Sequence, residues 1–338
     1  MVTAADGLWA VTTYFNPVGY RRRRANYRLF RRHLPLPLLA VELSFGADFE
    51  LGAGDGDVVI QLRDGDVMWQ KERLLNLAVA ALPPACRKVV WMDCDVMVGR
   101  EDWPERVSRA LDEAPLVQPF SHVYHLSPGD EARPRIPGKT DSWQTSVPFA
   151  VAAGRPLESC VRRPPARSHG TCTRGVLWAA RRELLAEHGL YDACVMGGGD
   201  SAMACAAYGR LDEVIRDHAM NEREEGHYRA WAEPFAAAVR GTVGFVETEI
   251  FHLWHGAMHN RRYRDRHEGL RRFQFDPSCD VAVGGSGCWR WNTDKPAMHQ
   301  YVRDYFAARD EDADAGDGGP NLPAPPRSAI RGPTGQSG

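Results

Sequence analysis

Two aspartates sit inside an apolar run. In KVVWMDCDVMV, Lys88 to Val98, Asp93 and Asp95 are bracketed by Val89, Val90, Trp91 and Met92 on one side and Val96 on the other. Buried charge is costly unless it is paired or bound to a metal. On a strand, positions i and i+2 face the same way, so the two carboxylates would converge on one point. That convergence suits a hard divalent cation carrying phosphate oxygens. The competing reading has one acid capping the next element and the other pairing with an arginine. Two further Asp-x-Asp spacings, Asp55–Asp57 and Asp64–Asp66, enclose glycine and read as turns.

A third acid, Asp200, closes the glycine run in GLYDACVMGGGDSAMACAAYG. Consecutive glycines let backbone approach a ligand closely and permit positive φ. Asp200 is then either a helix cap or a carboxylate fixed at the end of a glycine loop. His252, His255 and His259 follow a strand-like run in TVGFVETEIFHLWHGAMHN. The His255–His259 spacing lacks the glutamate of a helical zinc motif. If the strand persists through Trp254, His252 and His255 face opposite sides and at most one is an easy ligand.

These groups must be positioned by the elements around them. LWAVTT at 8–13 reads as a strand, Arg21 to His33 as a helix, and PLLAVELSF and DVVIQL as two more strands. Trp69 to Ala81 has helical spacing, RKVVWMDCDV is a fourth strand, and DWPERVSRALDEA a further helix. Such alternation argues for a largely parallel sheet covered on both faces, with ligands at the carboxyl ends of its strands. Residues 127–170, rich in Pro, Arg, Ser and Gly, are expected as an irregular excursion, and a strand resumes at Val176–Ala179. The expected domain spans 1–308, its donor-binding half about 8–120 and its acceptor half about 121–308; the acidic, Pro- and Gly-rich 309–338 is expected as a disordered tail.

The 338 residues carry a formal charge of −2, which gives no whole-chain case for nucleic acid or membrane binding. GYRRRRANYRLFRR is a local exception, read as a solvated helix face in preference to a phosphate site. No apolar window approaches the ~18 residues of a membrane span, and no signal peptide is expected. The eight cysteines form no CxxC pair, so reduced thiols in a cytoplasmic setting are expected.

VVWMDCDVMV resembles the DxD motif of GT-A glycosyltransferases, most like the family 2 type, which use nucleotide-sugar donors. The resemblance implies an α/β GT-A (Rossmann-like) fold, with a mostly parallel central sheet flanked by helices. It implies a metal bridging the donor's two phosphates, bound directly by Asp95, while Asp93 touches the ribose or the metal. TTYFNP resembles the family's first loop, which holds the base, and places Thr12 and Asn16 at the donor. WQKERLLNLAV is similar to the helix before the acid strand and places Lys71 and Asn76 there. The glycine segment resembles that of inverting members, with Gly198 and Gly199 near the donor and Asp200 as the general base that deprotonates an acceptor hydroxyl. This chain departs from the family in carrying one acid where two or three are common. Trp178 would stack on a sugar or fill the core. FHLWHG resembles the family's metal-binding histidine segment, with His255 favoured over His252. Imidazole beside carboxylate favours Mn²⁺ over Mg²⁺. The arginines of NRRYRDR would close over the departing diphosphate, or form a solvated helix paired with Asp265 and Glu268. A nucleotidyltransferase, or a non-catalytic nucleotide- or carbohydrate-binding protein, is the alternative. Base, sugar and hydroxyl acceptor are not specified.

Overall fold

The computed structural model describes residues 7–130, 143–162, 170–263 and 265–313. The strands are β1 (Leu8–Phe15), β2 (Leu38–Leu43), β3 (Val58–Leu62), β4 (Lys88–Met92), β5 (Val96–Val98), β6 (Leu116–Gln118), β7 (His122–His125), β8 (Trp143–Ser146), β9 (Thr171–Thr173), β10 (Leu177–Arg181), β11 (Val243–Phe245), β12 (Glu249–His252), β13 (Val281–Val283) and β14 (Trp289–Trp291). The helices are α1 (Arg21–His33), α2 (Lys71–Ala81), α3 (Trp103–Glu113), α4 (Val147–Ala152), α5 (Leu157–Val161), α6 (Arg182–His188), α7 (Gly199–Ala207), α8 (Leu211–Asp217), α9 (Glu222–Val239), α10 (Asp265–Arg271), α11 (Pro277–Asp280) and α12 (Pro296–Ala307).

The expected α/β architecture is present. A seven-stranded sheet runs β11-β6-β10-β4-β1-β2-β3, and within it β10 alone is antiparallel to its neighbours. β1, β2 and β4 are almost wholly buried, as strands covered on both faces must be. Leu74, Leu75, Ala78 and Val79 of α2 pack into the core on one face; Tyr27 and Phe30 of α1 and Trp103 and Val107 of α3 fill the other.

A second sheet runs β5-β12-β7-β8-β9. Among the described residues the chain passes between the two sheets by short links at 93–95, 119–121, 174–176 and 246–248, and once more through α3 between β5 and β6. These crossings are tied together: Asp93 N donates to Val176 O at 3.1 Å, and Ser121 N to Thr248 O at 2.8 Å. The Gln118 side chain donates to the carbonyls of Thr173 and Gly175.

Two expectations are corrected. Within the supposed excursion, 143–162 holds β8, α4 and α5; β8 pairs with β7, and Ser146 caps α4 by accepting from Phe149 N. Residues 131–142 and 163–169 lie outside the described residues. The supposed tail begins inside packed structure. Arg309 and Glu311 are buried, and Asp312 accepts from Arg21 N and Arg22 N, capping α1, whose own N-cap residue Tyr20 makes no side-chain cap bond. The rest of that stretch, 314–338, lies outside the described residues.

Candidate active site

β4 ends at Met92, whose carbonyl accepts from the buried Thr12 hydroxyl at 2.8 Å. The chain then leaves the sheet, so the strand parity expected for Asp93 and Asp95 does not apply. Their side chains meet different partners. Lys71 at the start of α2 places its ammonium 2.6 Å from Asp93 Oδ1 and 2.8 Å from Asp200 Oδ2. Burial disfavours the lysine charge, but Asp200, Asp93 and Glu72 outweigh it and hold the proton well above the usual range.

Asp95 faces two histidines. Its Oδ2 lies 3.1 Å from His255 Nδ1 and its Oδ1 lies 3.4 Å from His252 Nε2. β12 stops at His252, Leu253 N donates to Asp95 O at 2.8 Å, and Gly256 adopts φ +90°. The strand therefore does not persist through Trp254, and both rings reach the same carboxylate. This corrects the reading in which one of them had to face away. The three residues offer ligand atoms within 4.8 Å of one another. Asp95 Oδ1 and His255 Nε2 are buried and, among the described residues, have no hydrogen-bond partner of good geometry. Burial, then Arg261, His252, Arg309 and Arg23, hold the His255 pKa well below its ordinary range, which favours the neutral imidazole. Burial opposes ionisation of Asp95, but His252, Arg261 and Arg23 overcome it and lower its pKa. A carboxylate, a neutral imidazole and two orphaned ligand atoms fit a divalent cation. His125 braces the set, its Nδ1 3.2 Å from His252 Nδ1 and its Nε2 3.2 Å from Gln144 Oε1.

A cavity of about 640 Å³ is bordered directly by the lysine-held acids and reaches the Asp95 cluster only through His252; Asp95 and His255 do not line it. Lys71, Glu72, Asp93 and Asp200 line it, as do His125, His252 and His259. So do Arg162, Arg174, Arg261, Arg262, Arg266 and Arg309. Arg261 and Arg266 are buried; they donate to His255 O and to His267 and Tyr305 respectively. Among the described residues, no ion pair joins Arg261, Arg262 or Arg266 to Asp265 or Glu268; the solvated-helix alternative does not describe the buried Arg261 and Arg266, whereas Arg262 is exposed.

Asp200 sits in the first turn of α7, behind Gly197 (φ +81°) and Gly198 (φ +98°), and Gly198 borders the cavity. Gly199 makes room for a neighbour instead of a ligand: a Cβ there would lie 2.2 Å from the Glu72 carboxyl carbon. Glu72 is pushed up to about 8, first by burial and then by the negative Asp200 and Asp93, with Lys71 opposing.

Four residues expected at a donor lie away from the cavity. Trp178 is fully buried in the core, donating to Arg174 O, and has no free face for a sugar. Asn76 is spent on Leu190 N and O, pinning the loop after α6. Thr12 is spent on Met92 O, and Asn16 on Tyr20 and Glu50. Sequence reasoning missed Glu72, His125, Arg309 and Glu311. Glu72, adjacent to Lys71 in an otherwise apolar helix face, carried a usable signal; the other three carried none.

No family profile matches the chain, and no curated protein matches it. Solved structures similar to it include Staphylococcus aureus TarS 1–349 in complex with UDP-GlcNAc, at 8% identity and TM-score 0.39, covering 89% of this chain and 72% of that one. GalNAc-T7 with UDP, GalNAc and Mn²⁺ is similar at 11% identity and TM-score 0.38, covering 89% and 55%. The 4-diphosphocytidyl-2C-methyl-D-erythritol synthase from Anaerococcus prevotii is similar at 12% identity and TM-score 0.31, covering 72% and 88%.

Proposed function

We propose that this protein is a GT-A-type glycosyltransferase that moves a sugar from a nucleoside-diphosphate donor to an acceptor hydroxyl with inversion. The observation that carries this reading is convergence. His252 of the carboxylate–histidine cluster, a wall of arginines and the separate carboxylate Asp200 border one cavity where the chain leaves β4. Asp95, His252 and His255 would hold a divalent cation, Mn²⁺ by ligand type. When bound, that ion neutralises charge on a diphosphate leaving group.

The other roles fall to the chain itself. Arg261, Arg262 and Arg266 present guanidinium groups to the anion that grows as the glycosidic bond breaks. Asp200 takes the acceptor proton, and Lys71 fixes its carboxylate and that of Asp93. Asp93, held by this ammonium, is assigned to the ribose side of the donor and not to the metal.

The test is a thermal-shift panel of nucleoside diphosphates and nucleotide sugars with and without Mn²⁺, followed by turnover of whichever donor binds. Ligands of the native state raise its melting temperature. A metal-dependent shift with one nucleotide, and its hydrolysis or transfer, is expected. Indifference to every nucleotide would sink the reading, and pyrophosphate release from nucleoside triphosphates would replace it with a nucleotidyltransferase.

A further inference from the structure

The chain end beyond α12 carries groups that nothing above assigns. Arg309 to Ala313 lies directly on the histidine segment: a Cβ at Gly256 would be 2.8 Å from Asp310 O and 3.0 Å from Arg309 O. Asn260 Nδ2 donates to Arg309 O and Trp254 Nε1 to Ala313 O. Asp312 caps α1 at Arg21 and Arg22, while Tyr20 receives from Asp310 N. The stretch is therefore built into the wall that holds His255.

Its side chains are arranged for an anion. Arg309 is 4% exposed yet borders the cavity. Its Nε donates to Glu311 at 2.5 Å, its Nη1 to Tyr305 OH at 3.2 Å, and its guanidinium carbon lies 5.3 Å from the Trp69 ring centroid. These contacts hold the fork from two sides, and its other N–H donors have no partner among the described residues. Glu311 is fully buried and also accepts from Arg23 at 2.6 and 2.9 Å. One carboxylate thus serves two guanidiniums, while Arg261 and Arg266, buried on the same wall, form no salt bridge among the described residues, Arg261 acting on Glu311 and Asp95 only at longer range. Buried cations in excess are costly until an anion completes them.

We propose that Arg309 is a further binding residue for the donor's diphosphate and that Glu311 is its positioning residue, so the last described segment is part of the active site. This rests on the nucleotide-sugar reading for the identity of the anion, though the anion site itself can be tested apart from it. A guanidinium held by one carboxylate edge and an aromatic face presents its remaining edge in a fixed direction, which matches the paired oxygens of a phosphate.

The probe is inorganic pyrophosphate, titrated calorimetrically into the full chain in metal-free buffer. The wild type is expected to bind it. Arg309→Met should weaken binding about tenfold or more, the scale of one charge-assisted contact, and Arg309→Lys should recover part of the loss. Glu311→Gln should weaken it less, with the remainder following Arg309. A melting temperature close to wild type in Arg309→Met separates a contact role from a structural one. Should Glu311→Gln fail to fold, Arg309→Met decides alone. Unchanged pyrophosphate affinity in folded Arg309→Met, or no binding by the wild type, overturns the proposal. Arg309-dependent pyrophosphate binding without turnover of any nucleotide sugar would overturn the glycosyltransferase reading and leave the anion site standing.

Discussion

The Lys71 ammonium lies 2.8 Å from the Asp200 carboxylate, and the same nitrogen reaches Asp93 at 2.6 Å. One cation therefore ties the residue after β4 to the first turn of α7. Lys71→Met would leave two carboxylates facing each other without it. Breaking a buried pair costs about 3–5 kcal/mol; the lower end applies here, because the Asp93 side chain is 31% exposed. Urea denaturation should register this loss, and turnover should fall with it. Wild-type stability in the variant would mean the bridge holds nothing in place.

Asp200→Asn preserves shape and removes the base. Initial rates are expected to fall by about 10²–10⁴, while the affinity for a nucleoside diphosphate stays as it was. Undiminished turnover would remove Asp200 from the mechanism.

Manganese binding, followed by the loss of the free-ion EPR signal, should disappear in Asp95→Ala and His255→Ala. His125→Ala removes the group that orients His252, and should weaken binding by about 10–100-fold. A chelator should abolish turnover and added Mn²⁺ restore it. Equal metal uptake by the wild type and Asp95→Ala would show that the ion goes elsewhere.

Glu72 provides a pH signature with a defined sign. Its folded pKa, about 8, is raised above the ordinary 4.5. Between those values the native state keeps a proton that the unfolded state has released. Stability contributed by this group is therefore full below about pH 4.5, and is lost as pH rises to 8. Glu72→Gln, which is neutral throughout, should flatten that decline, and its melting temperature should exceed that of the wild type at pH 8 by more than at pH 5. Parallel pH profiles for the two proteins would refute the assignment.

Gly199→Ala places a methyl where the Glu72 carboxyl already sits, at 2.2 Å. Overpacking of this kind costs about 1–3 kcal/mol. Combining it with Glu72→Ala should recover much of that loss, because the two changes share one space. Additive losses in a double-mutant cycle would contradict the contact.

The order of strands and helices up to α3 is legible because each apolar run is bounded by its own turn or proline signal. Arg21–His33 matches the helix read there residue for residue. What cannot be read is where a strand changes sheets. The apolar run breaks at Asp93–Asp95 and resumes at Val96, which marks the strand's tip after Met92 but not that the chain there passes to the second sheet. The same limit defeats the histidine parity, since β12 ends through a tertiary bond from Leu253 N to Asp95 O. Trp178 reads equally as platform or core, and only its complete burial in the fold decides. Arg309 and Glu311 vanish in an acidic, glycine-rich context whose composition argues for disorder. Glu311's second partner, Arg23, lies near the other end of the chain, and pairing over that separation leaves no trace in any window.

The four short links between the two sheets are laced to one another by hydrogen bonds. A joint sewn at so many points is stiff. Rotation of one sheet against the other would have to stretch every stitch at once, including the one that carries Asp93 to Asp95. The spacing between the lysine-held acid and the histidine-facing acid is thus a property of the frame, set before any ligand arrives. Movement during a reaction cycle would then fall to the segments rimming the cavity, and the seam would serve as the fixed reference against which they close.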